Sequence, residues 1–85
     1  MTRKLIKFGS DWCVPCKTVD KILIELRKET DIVIEHIDID EDDNNLVGYY
    51  NVRNIPTIIY FVDDQQVGKT VGSVSKEKIL ESFNV

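Results

Sequence analysis

The change of hydrophobic period at Val14 constrains this chain most. Before it, "KLIKF" (4–8) is dense in apolar and aromatic residues and stops at Gly9, as a short strand does. After it, Val19, Ile22, Leu23 and Leu26 fall at i, i+3, i+4 and i+7, one helical stripe expected to end near Glu29. "DIVIEHIDID" (31–40) is β-branched and dense in Ile, which reads as a mostly buried parallel strand. Two strands joined through a helix imply a right-handed crossover between parallel neighbours.

The rest of the chain extends that unit. The acidic stretch Asp40-Glu41-Asp42-Asp43 suits the positive N-terminal end of a second helix, which would carry Leu46, Val47 and Tyr50 and stop at a left-handed Asn51. "TIIYFV" (57–62) and "QVGKTVGS" (66–73) read as two further strands, with Asp63-Asp64-Gln65 as the turn, although it lacks an Asn-Gly or Asp-Gly pair. Ser75 can cap a last helix over 76–83, with Val74 and Ile79 as a hydrophobic staple across the cap. The predicted order is β-α-β-α-β-β-α, a mixed four-stranded sheet with helices packed on it. An EF-hand reading of Asp38, Asp40, Glu41, Asp42 and Asp43 fails. Starting at Asp38 puts Asp43 at the required Gly and Tyr49 at the bidentate Glu, and starting at Asp40 puts Asn45 and Asn51 there.

With 85 residues the expectation is a single domain spanning 1–85. Such a chain buries only roughly 60–65% of the surface that it exposes unfolded. The net charge of −4 argues against nucleic-acid binding. The first residues carry no continuous apolar stretch of a signal peptide, and no run approaches a membrane span. A cytoplasmic, monomeric protein without membrane association is expected, and in that compartment paired cysteines serve metal binding or catalysis more than structure.

The only two cysteines stand three positions apart in "SDWCVPCK" (10–17), behind the only tryptophan. So close a pair would close a trivial loop and stabilise little as a staple. A structural zinc site needs four ligands, and two thiols with His36 fall short. A copper site on two thiolates, or two thiols that merely pack, stand as weaker readings. Redox chemistry fits best. Placed where the first strand meets the first helix, Cys13 would have its thiolate stabilised by unpaired N–H groups and the helix dipole. Pro15 suits the first helical turn, and Cys16 lies on the same face one turn deeper, less exposed. Cys13 would attack a substrate disulfide and Cys16 would resolve the mixed disulfide.

"WCVPCK" together with "VRNIPT" (52–57) resembles the thioredoxin family, and the resemblance runs from about Lys4 to the C-terminus, including Gly72. It implies the thioredoxin fold, α/β with strand order 2-1-3-4 and helices on both faces. It implies Cys13 as nucleophile, Cys16 as resolving thiol, a redox-active Cys13–Cys16 disulfide and no bound cofactor or metal. It also implies a cis bond between Ile55 and Pro56, with the Ile55 backbone pairing to an extended substrate segment. Trp12 and Pro56 would flank the dithiol as an apolar docking surface, against the plainer reading of Trp12 as core. The implied activity is reduction of protein disulfides in cell redox homeostasis, with a thioredoxin-reductase-type flavoenzyme as donor. Ribonucleotide reductase is a conceivable target. The alternative is a glutaredoxin-like reductase recycled by glutathione, against which stand Trp12 and Ile-Pro-Thr in place of Thr-Val-Pro. A metal-binding CxxC module is the remaining alternative.

The chain departs from that family in three ways. It lacks the extra N-terminal strand and helix of full-length thioredoxins. The usual glycine between the cysteines is Val14, which adds apolar bulk and should shift the redox potential. Where thioredoxins place a buried carboxylate, six residues before the first cysteine, stands Lys7, and the position opposite is His36 beside Glu35. A cation there favours thiolates, so Lys7 or His36 is expected to handle protons or tune the dithiol. The competing expectation is that Lys7 snorkels its ammonium into solvent.

Overall fold

The computed structural model describes residues 1–84. In chain order the elements are β1 (Arg3–Gly9), α1 (Val14–Glu29), β2 (Val33–Asp38), a short 3-10 turn (Ile39–Glu41), α2 (Leu46–Tyr49), β3 (Thr57–Val62), β4 (Gln65–Val71) and α3 (Lys76–Glu81). The sheet runs β2-β1-β3-β4, with β1 parallel to β2 and antiparallel to β3, and β3 antiparallel to β4. The order and mixed character match the expectation.

The alternation along the central strands sorts the core onto two faces. Leu5 of β1 with Ile58 and Tyr60 of β3 meets Val19, Leu23 and Leu26 of α1 and Ile79 of α3. On the other face Ile6, Phe8, Ile59 and Phe61 meet Val52, with Leu46, Val47 and Tyr50 of the α2 region packed against them. Helices therefore cover both faces, two on one and the short α2 on the other.

Local chemistry sets the boundaries. The Asp42 carboxylate accepts from Leu46 N–H at 2.9 Å and Val47 N–H at 2.8 Å, which satisfies orphan donors at the start of α2. Asn51 is left-handed at φ 56, as a stop after that helix requires. Asp63 and Asp64 both take positive φ, 49 and 69, so the hairpin closes with the backbone of a type I′ turn although it has no glycine. Gln65 accordingly begins β4 rather than ending the turn. The Ser75 hydroxyl accepts from Lys78 N–H at 3.1 Å and starts α3, which ends at Glu81 rather than at residue 83.

One reading of the sequence is corrected. β2 is shorter than 31–40 and is not mostly buried: Val33 is exposed, as are Glu35 and His36. The strand forms the sheet edge, paired only with β1, so one flank stays open to water. The deeply buried strands are β1 and β3 in the middle.

Candidate active site

Residues 10–13 carry the chain from the end of β1 into α1, and Cys13 is the N-cap of that helix, with extended backbone at φ −94, ψ 107. Its Sγ accepts from Cys16 N–H at 3.2 Å, where an Asp or Ser oxygen would otherwise sit. Pro15 falls in the first turn, where its missing N–H leaves no helical bond unmade. Cys13 and Cys16 are joined in a disulfide. Cys16 is fully buried and Cys13 is 6% exposed, so the order of exposure is as expected but the outer sulfur too is largely covered in this state.

Around the disulfide the apolar Trp12, Val14 and Pro15 are exposed between the charged Asp11 and Lys17. Val14 is 71% and Trp12 66% exposed, which removes core packing as the role of the indole. The indole N–H donates to Asp40 Oδ2 at 2.9 Å, fixing the ring across the mouth of the site. A groove of about 650 Å³ opens there, with Trp12 and Ile39 on one side and Val52, Arg53 and Ile55 on the other. The Ile55–Pro56 peptide bond is cis. The loop carrying it is pinned by Thr57 Oγ1, which donates to the Asn54 carbonyl, and by Gly72 N–H, which donates to the Pro56 carbonyl at 2.8 Å.

Pro56 itself does not form the docking surface expected of it. Its ring is fully buried at the head of β3, so it shapes the site from below while half-buried Ile55 lines the groove.

Beneath the disulfide the polar groups are arranged in a way that the sequence did not disclose. Lys7 is 5% exposed, so it does not snorkel; its ammonium lies 2.8 Å from Asp20 Oδ1 on α1. His36 sits opposite Lys7 in the β1–β2 register, as expected, with Nδ1 3.8 Å from the same Asp20 oxygen. Burial holds the imidazole below its ordinary value of 6.5; Asp20 pulls it back up, and Lys7 and Arg27 push it down. Gly9 makes room for this group. A β-carbon there would fall 2.5 Å from Lys7 Nζ and 3.1 Å from Cys16 Sγ, so both atoms flank one small space. Asp20 and Asp40 were missed. The signal for Asp20 was its spacing: four residues after Cys16 and three before Leu23, it lies along the buried stripe, where a carboxylate needs a partner.

A buried and a capping sulfur joined at a helix start, beside an apolar groove and a cis-proline loop, define a dithiol–disulfide exchange site. The family model described as Thioredoxin matches residues 1–84. The thioredoxin of Staphylococcus epidermidis is 38% identical over 79 residues, covering 92% of this chain and 76% of that protein. That of Buchnera aphidicola is 32% identical over 83 residues, covering 95% and 75%. Among solved structures, a variant thioredoxin from Halobacterium salinarum superposes with a TM-score of 0.84 at 32% identity, over 98% of this chain and 75% of that one. Thioredoxin O2 of Arabidopsis thaliana, in its oxidised state, gives 0.81 at 27% identity, over 94% and 70%. This chain belongs to the thioredoxin family, and it is a thiol–disulfide oxidoreductase with the Cys13–Cys16 disulfide as its redox group.

Proposed function

We propose that this protein reduces disulfides of extended protein segments in the cytoplasm and is itself re-reduced by a thioredoxin-reductase-type flavoenzyme. The observation that carries the assignment of roles is the capping position of Cys13. Once the disulfide is reduced, the Cys13 thiolate keeps the N–H of Cys16 and the helix N-terminus as its stabilising partners. Cys13 Sγ attacks one sulfur of the substrate disulfide; a Cys13–substrate bond forms and the other substrate sulfur leaves as thiolate. Cys16 then attacks Cys13 Sγ, the Cys13–Cys16 bond forms, and the second substrate thiolate leaves with the electron pair. The protein is oxidised by two electrons and the substrate disulfide is reduced by two.

Trp12, Val14 and Ile55 supply the apolar contact, the Ile55 backbone receives the substrate strand, and Pro15 and Pro56 hold the loops that present them. Lys7 and His36, which do not line the substrate groove, act on the proton of the dithiol.

Turnover of insulin disulfides tests this, with NADPH supplied either through thioredoxin reductase or through glutathione and its reductase. Turnover through thioredoxin reductase is expected; turnover through glutathione alone would turn the donor assignment to the glutaredoxin type, and none through either would end it. Cys16→Ser should accumulate mixed disulfides on Cys13.

A further inference from the structure

The groove beside the disulfide has a one-sided supply of polar groups. On the α2 side its acceptors are already in use. Both oxygens of Asp42 take backbone N–H groups, Leu46 at 2.9 Å and Val47 at 2.8 Å, and Asn45 Oδ1 takes that of Gly48 at 3.3 Å. On the dithiol side the indole N–H of Trp12 is held by Asp40, which is itself outside the lining.

The polar groups left free lie on the loop that leads to the cis-proline. Arg53 lines the groove and is exposed, and among the described residues it pairs with no carboxylate. Its guanidinium brings five N–H donors and no acceptor. Asn54 beside it gives its carbonyl to Thr57 Oγ1, which steadies the backbone of the loop and leaves the Asn54 amide exposed on the lining. An occupant of this groove therefore meets apolar walls, one free cation and no uncommitted acid.

We infer that Arg53 selects the substrate: the groove takes an extended segment with an acidic side chain close to its reactive cysteine. This rests on the disulfide exchange proposed above and adds which segments undergo it. Trp12 adjoins Cys13 and forms one wall, so the substrate cysteine stands at the edge of the groove and its neighbours lie within it. A groove of about 650 Å³ measures about 9 Å on a side, or about three residues of extended chain at about 3.3 Å each. The acid therefore falls within about three residues of the cysteine. Ile55, which receives the backbone of the segment, stands just beyond Arg53, so one loop reads both the backbone and the side chain. The net charge of −4 draws no acidic partner from a distance, so the choice is made at contact.

Short peptides test this. Each has one cysteine, carried as its mixed disulfide with thionitrobenzoate, and Glu, Gln or Lys at each position up to about three residues on either side. Cys13 Sγ bonds to the peptide sulfur, the peptide–thionitrobenzoate bond breaks, and the coloured thiolate leaves with the electron pair. Each rate with the reduced protein is divided by that of mercaptoethanol on the same peptide, which removes the acid's own effect on the disulfide. Glu outruns Gln by about fivefold at one position or more, the worth of one exposed ion pair, and Lys falls below Gln. In about 1 M salt the advantage shrinks to less than about twofold. Arg53 is exposed and unpaired, so substituting it leaves the fold intact. Arg53→Gln brings the Glu-to-Gln ratio to about one, and Arg53→Glu reverses the order in favour of Lys. A wild-type ratio near one at every position, or a preference for Glu that survives Arg53→Glu, overturns the assignment. Should no peptide release thiolate, disulfide exchange itself fails, and with it the reading on which this one rests.

Discussion

Gly9→Ala places a single methyl where the structure has least room for one. The new carbon would lie 2.5 Å from Lys7 Nζ, 2.9 Å from Lys7 Cε and 3.1 Å from Cys16 Sγ. Comfortable contact needs about 3.5–4.0 Å, so three atoms must yield. The sulfur is held by its disulfide and by α1, which leaves the lysine to move. At 5% exposure it has no free space to move into without loosening its hold on Asp20. Overpacking of this kind costs about 1–3 kcal/mol. The smaller backbone entropy of unfolded alanine returns about 0.4–1 kcal/mol, so a net loss of about 1–2 kcal/mol is expected. For a domain of this size each kcal/mol lowers Tm by about 4–8 °C, hence a fall of roughly 4–16 °C in the oxidised protein, read by circular dichroism. The displaced ammonium also stops depressing His36, so the imidazole titration, followed by NMR, moves upward. A Tm at or above that of the parent, with an unmoved His36, would refute the placement of Lys7 and Cys16 around Gly9.

Three other perturbations probe separate parts of the site. His36 is the only histidine, so its NMR titration reports on the ion pair without ambiguity: Lys7→Met raises its midpoint and Asp20→Asn lowers it further. Because its folded value lies below 6.5, the unfolded chain binds the proton more readily. Stability is therefore full above 6.5 and declines as pH falls through that value toward the folded one, and His36→Gln flattens this part of the Tm–pH curve. Asp40→Ala frees the Trp12 indole, changes its fluorescence, and lowers kcat/KM for insulin by about threefold, the worth of one modest hydrogen bond. An unchanged spectrum and rate would show that Asp40 does not orient the ring. Asp42→Ala removes the acceptor of two backbone N–H groups at α2 and costs about 1 kcal/mol in urea unfolding.

How far the sequence could be read follows from the range of the forces involved. The helix of 14–29 and the strand of 57–62 are written in local periodicity, and their bounds were correct to the residue. So was the left-handed Asn51, a property of one side chain and its own backbone. β2 was misjudged because Ile and Val content reports strand preference, whereas burial depends on how many neighbours the strand has. The Asp63-Asp64 turn escaped a firm assignment because two aspartates tolerate the left-handed region without advertising it as Asn-Gly does. Pro56 was placed in the right loop, but whether its ring faces substrate or core is decided by packing.

The charge beneath the dithiol shows the same limit most sharply. Lys7 could be seen as an anomaly from spacing alone, but its meaning depends on a residue 13 positions away, on another element. With Lys7 unpaired, burial would expel its charge, and a snorkelling lysine would be the sensible expectation. Asp20 removes that penalty, and it can do so because a position one turn after Cys16 on α1 necessarily overlies the strand that carries Lys7. The ammonium and the Cys16 sulfur thus flank the β-carbon position of Gly9, and the Asp20 carboxylate meets the ammonium through its buried Oδ1. A carboxylate directly beside Cys16 would accept its proton but oppose the thiolate left behind. Here the group that shares the space beside the sulfur is the cation, and each charged residue needs the other to be tolerated where it stands.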